Sequence, residues 1–375
     1  MTRLGEVATY INGFAFKPDD WSEEGLPIIR IQDLTGNSYQ MNRYAGDYNP
    51  KYEVNRGDVL ISWSASLGVY VWQGERALLN QHIFKVVFDK CEVDKSFYVH
   101  QVAAILEKAA SQAHGATMKH LTKPVFDALP FYLPDLPTQQ RIADTLDKVS
   151  EGIGLCRKML GELDLMVKAK FVEMFGDPVS NPMGWEEKKL VQVCKKLTDG
   201  THFSPESFAT GAYKYVTAKN IRINGFDFSN ITYISEEVHR PIYERCNPEY
   251  GDVLYIKDGV TTGIAMVNTL HEEFSLLSSV ALLKQDRNVI NGYFLCGVLN
   301  NAEMYSNIRM NMGGAAITRL TIAKLNEIQV IVPPIELQEQ FATFVSKSDK
   351  SRLTIQQVLS KMELEQKVLM QKYFG

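Results

Sequence analysis

Apolar positions along the chain follow two rhythms, and each rhythm occurs twice. The first 136 residues carry short β-branched or aromatic runs set apart by Gly, Asn and Asp: Ile28–Ile31, Val59–Ser62, Val69–Trp72 and Phe84–Phe88. Such runs read as strands. A helix-like segment follows over 96–112, and then a last strand, Leu129–Leu133, runs up to Pro134 and Pro137. Proline there ends the strand and suits the first turn of a helix. From Thr138 to Met174 the apolar residues Ile142, Leu146, Val149, Ile153, Cys156, Leu160, Leu163 and Val167 alternate steps of four and three. That spacing is an a/d seam, held for about four heptads. No proline interrupts it, so the helix would be roughly 55 Å long.

The same order then returns. Tyr213–Thr217, Val253–Ile256, Ile264–Val267 and Val280–Leu283 read as strands, 291–307 as a helix, and Ile328–Val332 as a strand before Pro333 and Pro334. A second seam follows at Phe341, Val345, Ser348, Arg352, Ile355, Leu359, Met362, Gln366, Leu369 and Tyr373. Its polar members, Ser348, Arg352 and Gln366, cost stability but can fix register and pairing. One constant offset joins Leu121-Thr122 to Leu320-Thr321, Leu133-Pro134 to Val332-Pro333, Gln139 to Gln338, Ala143 to Ala342 and Phe175-Gly176 to Phe374-Gly375. Upstream the offset drifts, as loops of unequal length require: Gly57-Asp58-Val59-Leu60 answers Gly251-Asp252-Val253-Leu254, Asp33-Leu34 answers Asn220-Ile221, and Leu4 answers Leu190. The expected fold is α+β: two mixed α/β domains, 1–136 and 177–334, separated by two long antiparallel helices, 137–176 and 335–375, which form a coiled coil with a pseudo-two-fold internal repeat.

Net charge is −4, so any nucleic-acid surface must come from local charge. Two windows supply it. Lys108 to Phe126 holds no acid but carries Lys108, His114, Thr117, Lys119, His120 and Lys123; Met304 to Asn326 holds no acid but carries Arg309, Thr318, Arg319 and Lys324. Basic, hydroxyl-bearing, Gly-containing segments suit a phosphate backbone. The loop after each Gly-Asp-Val-Leu is the second candidate: Trp63, Ser64 and Ser66 in one repeat, Lys257, Thr261 and Thr262 in the other. A loop between two strands is rigidly aimed, and its side chains differ wholly between the repeats, as two different base specificities would demand. Gln32, Gln81, His82, Thr201, His202, Lys219 and Asn220 add polar groups of the kind that pair with base edges.

Catalytic signatures are missing from the sequence. Asn247-Pro248-Glu249-Tyr250 only approximates an adenine-methyltransferase motif and reads as a loop. There is no P-loop and no nuclease constellation, and neither the seven His nor the five Cys take metal-ligand spacing. The scattered cysteines read as reduced thiols in or near a core. No run reaches the roughly 18 apolar residues of a membrane span, and the start lacks a signal-peptide pattern. The expectation is a non-catalytic cytoplasmic protein with no cofactor or metal of its own.

In the order and duplication of these features the chain resembles the specificity (S) subunits of type I restriction–modification systems. The residues that carry the likeness are the two Gly-Asp-Val-Leu segments, the small-residue-then-Leu-Thr segments, Leu136-Pro137-Thr138-Gln139-Gln140-Arg141-Ile142-Ala143, Pro333-Pro334-Ile335-Glu336-Leu337-Gln338-Glu339-Gln340, and Phe175-Gly176-Asp177-Pro178. The resemblance implies that each recognition domain reads one half of a split site on double-stranded DNA. The helices would set the spacer and dock methyltransferase (M) subunits, with restriction (R) subunits joining through the complex. S-adenosylmethionine, ATP and Mg would then be bound by those partners only. Two alternatives stand beside it: the specificity subunit of a two-component, type II-like restriction system, and a coiled-coil scaffold whose blocks bind protein.

Overall fold

A computed structural model describes residues 2–37, 40–64, 66–112, 121–310, 312 and 319–375. By its internal contacts the chain divides into two compact units, Met1–Arg157 with Gln356–Gly375, and Lys158–Ile355. Each unit therefore takes a globular block together with part of both long helices.

In the first unit the main strands are β1 (Thr9–Asn12), β2 (Leu26–Ile29), β3 (Val59–Ser62), β4 (Gly68–Val71), β5 (Ala77–Leu79) and β6 (Ile83–Val87). An antiparallel sheet runs in the order β1-β6-β3-β4. In a second sheet β2 lies parallel to β5, with Ile28 opposite Leu78. Helix α1 (Lys95–Gln112) buries Phe97, Tyr98, Val102 and Leu106 in a core with Tyr10, Val59, Ile61, Phe84, Phe126 and Phe131. The last strand is shorter than the sequence predicts: only Pro130–Phe131 pair, with Thr2–Arg3. Helix α2 (Leu136–Phe175) begins at the predicted proline group.

The second unit repeats this plan with β7 (Cys194–Asp199), β8 (Tyr213–Val216), helix α3 (Glu236–Arg245), β9 (Val253–Ile256), β10 (Ala265–Val267), β11 (Phe274–Leu276) and β12 (Val280–Gln285). Its antiparallel sheet has the order β7-β12-β9-β10, and β8 lies parallel to β11. Both features match the first unit strand for strand. The helix predicted over 291–307 is in fact two, α4 (Gly292–Leu299) and α5 (Ala302–Met310). Asn300 and Asn301 cause the break. The Asn300 side chain bonds both backbone groups of Ala265, while the Asn301 carboxamide oxygen accepts from the N–H groups of Glu303 and Met304 as an N-cap.

The long helices α2 and α6 (Ile335–Phe374) pair antiparallel inside each unit. In the first, Ser150 Oγ accepts from Gln366 Nε2 at 2.9 Å, Arg157 meets Glu363 at 2.8 Å, and Met362 lies over Gly152. In the second, the Arg352 guanidinium meets Asp164, and Phe341 packs edge-on to Phe171 and Phe175. Ile142, Leu146, Val149, Ile153 and Cys156 are buried, as are Phe341, Ser348 and Arg352. Leu160, Leu163, Val167, Val345, Ile355, Leu359, Met362 and Leu369 are half-buried. α2 stops where Gly176 adopts φ +75° and its N–H donates to Val172 O, a glycine C-cap.

Equivalent glutamines fasten both blocks to their helices. Gln139 Oε1 accepts from Asp94 N at 2.8 Å while its amide donates to Pro134 O. Gln338 Oε1 accepts from Asn291 N at 2.8 Å while its amide donates to Pro333 O. Both side chains are buried.

Candidate nucleic-acid interface

The two elements singled out by sequence, the acid-free window and the loop after Gly-Asp-Val-Leu, meet in both units through the same hydrogen bond. Leu121 N–H donates to Trp63 O at 3.0 Å, and Leu320 N–H donates to Lys257 O at 2.9 Å. The second unit adds side-chain ties. Arg319 pairs with Asp258 at 3.3 Å, and Arg309 donates to Thr262 O at 2.9 Å and Val260 O at 3.2 Å. Val260, at the loop tip, is 91% exposed.

Backbone geometry explains the repeated Gly-Asp. Gly57 and Gly251 sit at φ +93° and +89°, a region that glycine alone enters without strain. The carboxylates of Asp58 and Asp252 each accept from a backbone N–H three residues upstream, at Asn55 and Glu249, both at 2.9 Å. The motif is thus a turn that launches an interior strand, β3 or β9, of each four-stranded antiparallel sheet. Asn247-Pro248-Glu249-Tyr250 belongs to this turn.

A second repeated pair escapes the sequence reading. Gly13 N–H donates to Ile83 O and Gly200 N–H to Val280 O, both at 3.2 Å. An added Cβ would lie 2.1 Å from Asn80 O in one case and 2.0 Å from Leu276 O in the other. Immediately before these glycines stand Asn12 and Asp199, and both reach the loop. Asn12 Oδ1 accepts from Trp63 Nε1 at 3.3 Å, and Asp199 Oδ2 faces Lys257 Nζ at 3.3 Å. The signal was present in sequence as Asn-Gly and Asp-Gly at corresponding strand ends. Arg245 was missed as well; from the end of α3 it pairs with Asp199 at 3.5 Å.

The structure distributes the candidate side chains unevenly. Gln32, Ser66, Lys123, His202, Lys219, Thr261 and Arg319 are exposed; Trp63, Gln81, His82 and Arg309 are half-buried. Trp63 stacks on Phe84, and Gln81 Nε2 lies 3.2 Å from His82 Nε2. His202 contacts Asp199 at 3.1 Å, and Lys123 pairs with Asp127 at 2.7 Å. Lys257, Asn220, Thr201, Thr262 and Ser64, expected from sequence to contact DNA, are instead nearly fully buried and offer it almost no surface. Lys257 is held between Asp199 and Asp258. The Asn220 amide accepts from Thr217 N and donates to Asp227 O. Thr262 Oγ1 donates to Gly259 O, and Thr201 Oγ1 accepts from Phe203 N. Tight loops bury their own polar groups and must satisfy them locally. His114, Thr117, Lys119, His120 and Thr318 lie outside the described residues.

Ser275, His239 and Glu273 line up as nucleophile, base and carboxylate would, at 2.9 and 3.3 Å. Ser275 and His239 have no exposed surface, so no substrate bond can reach the hydroxyl. Burial also holds the His239 imidazole below its ordinary value, against the pull of Glu273. All five cysteines are free, and burial pushes the Cys194 and Cys246 thiols up to about 12, far from the range of a reactive thiolate. Among the described residues no group of His, Cys, Asp and Glu could hold a metal ion. No described helix is long and apolar enough to cross a membrane.

Known proteins match the chain over most or all of its length. The chain is 22% identical to the type I restriction enzyme EcoBI specificity subunit of Escherichia coli, over 92% of the chain and 78% of that protein. It is 20% identical to the MjaVIII specificity subunit of Methanocaldococcus jannaschii, over 93% and 85%. The fold is similar to that of the S subunit of a type I restriction–modification system from M. genitalium, with TM-score 0.61 at 16% identity, covering 100% of this chain and 95% of that one. A structure from work on assembly and conformational transition of the type I system matches with TM-score 0.51 at 16% identity, covering 100% and 96%. The family model for the type I restriction modification DNA specificity domain matches twice, at residues 1–164 and 182–366, and the chain belongs to that family.

Proposed function

We propose that the chain is the DNA-recognition subunit of a type I restriction–modification assembly. Each globular block reads one half of a bipartite duplex site. The two long helices set the number of base pairs between the halves and carry methyltransferase subunits. Those partners bind S-adenosylmethionine, and restriction subunits bring ATP and Mg; this chain holds the address and performs no reaction. One observation carries the reading. In both repeats the acid-free window returns to the strand–loop–strand through the same backbone hydrogen bond, from Leu121 to Trp63 and from Leu320 to Lys257. Around that shared frame the loop sequences differ: Trp63-Ser64-Ala65-Ser66 in one unit, Lys257-Asp258-Gly259-Val260 in the other. A common backbone with unlike side chains is what two readers of different sequence require.

The test is a graft. Replacing residues 1–135 with the corresponding block of another family member, in the assembled methyltransferase, changes one half of the methylated motif and leaves the other half and the spacer intact. Mapping methylated positions on genomic DNA reads the outcome. A change in both halves, or in neither, rejects the modular reading.

A further inference from the structure

The strand end before each close-approach glycine and the first residue of each reading loop form a matched pair with opposite chemistry in the two units. In the first unit it is an uncharged contact, Asn12 Oδ1 with Trp63 Nε1 at 3.3 Å. In the second it is an ion pair, Asp199 Oδ2 with Lys257 Nζ at 3.3 Å. The backbone around both pairs is the same. Trp63 N–H donates to His82 O and Lys257 N–H to Ser279 O, while Leu121 and Leu320 close on the two carbonyls. Corresponding places in one frame thus carry Asn with Trp, or Asp with Lys.

The geometry points to these pairs as clamps that aim the reading loops: Asn12–Trp63 and Asp199–Lys257 are positioning residues for DNA recognition, the buried second pair acting through its loop rather than by touching DNA. This rests on the proposed function above. Three observations support it. Lys257 and Asp199 have side-chain exposures of 2% and 8%, so neither offers a surface to a phosphate. Lys257 also holds Asp258 at 3.1 Å, and Asp258 holds the exposed Arg319 at 3.3 Å. A buried pair therefore fixes where one solvent-facing guanidinium of the basic window points. Asp199 in turn gathers Arg245 and His202, so the same carboxylate ties the end of α3 and a candidate base-reading imidazole to the loop. Buried charge of this kind is costly unless paired, and its best-attested use is to specify one arrangement among several.

The experiment uses the chain assembled with its methyltransferase subunits. Methylated motifs and the salt dependence of DNA binding are measured for wild type, Lys257→Met, Asp199→Asn, the double variant and Trp63→Phe. Lys257→Met should relax base discrimination about tenfold in one half-site only. The slope of log affinity against log salt should fall by no more than about 0.9, the one phosphate contact that a misplaced Arg319 could lose. The double variant should lose less than the sum of the two single ones, because the two residues share one contact. Trp63→Phe keeps the ring on Phe84 but loses the indole N–H; it should relax the other half-site, and it decides the matter if the Lys257 variants fail to fold. Unchanged discrimination, relaxation of both halves by a single variant, additive effects or a salt slope reduced by more than one contact each overturn the clamp while leaving the two-reader function standing. A wild-type assembly with no bipartite motif overturns both.

Discussion

Single positions decide how closely strands and loops approach. At Gly13 and Gly200 the neighbouring carbonyl leaves no room for a methyl group, with Cβ-to-oxygen separations of 2.1 and 2.0 Å. Gly200→Ala should therefore cost about 3 kcal/mol, since a well-packed backbone must shift to admit it. Urea unfolding of the purified chain measures this, and a loss below about 0.5 kcal/mol would contradict the packing described. Residue identity alone conveyed some of the candidate site. The exposed basic and hydroxyl groups Lys123, Thr261 and Arg319 lie where their sequence windows put them. Lys257 and Asn220 do not, because a side chain's one-dimensional context carries no mark of the partner that draws it inside. Asp199 stands 58 positions before Lys257, and only the fold joins them. The glycine pairs were visible as letters, but their meaning depends on a carbonyl at Asn80 or Leu276 that no local pattern reveals.

Elements were the most legible level. The heptad steps gave α2 and α6, the proline groups gave their starts, and Gly176 gave one end. The polar seam residues now have partners. Gln366 bonds Ser150, and Arg352, with a side chain only 7% exposed, meets Asp164 and lies 3.9 Å from Asp349. Burial raises the Asp349 carboxyl above its ordinary value, and Asp164 adds to this while Arg352 opposes it. The repeat places Ile153 opposite Arg352 in sequence, so the apolar choice fits the same seam. Arg352→Ile should leave stability unchanged or raise it by about 1 kcal/mol, while Asp164→Ala, which leaves the guanidinium only the longer contact with Asp349, should lower it by about 2 kcal/mol. Thermal unfolding of the two variants checks the order; a reversed order would show that the ion pair contributes net stability. Where element prediction failed, the cause is local capping. Asn300 and Asn301 divide α4 from α5 because a carboxamide that bonds neighbouring backbone competes with helix continuation.

Across the whole chain the duplication was the clearest sequence signal, and it proves more complete than the letters suggest: strand order and the parallel pair recur in both units. Much of the basic windows has no counterpart in that comparison, since 113–120 and 313–318 lie outside the described residues. The proposed spacing role makes a quantitative prediction. Inserting one heptad into α2 after Arg157 together with one into α6 after Ile355 adds about 10 Å of helix, roughly three base pairs of duplex. The methylated motif should keep both half-sites and gain a spacer of about that size; an unaltered spacer would reject the role. The buried glutamines bear on how such a chain diversifies. Gln139 and Gln338 plug into their blocks through one incoming loop N–H apiece, and their amides lock back onto the proline carbonyls beside them. A replacement block must offer that donor at the same spot and an apolar face that fits Ile142, Ala143 and Leu146, or Phe171, Phe175 and Phe341. Exchange of readers by recombination then leaves the helices unaltered only where the incoming block keeps both that donor and that apolar face.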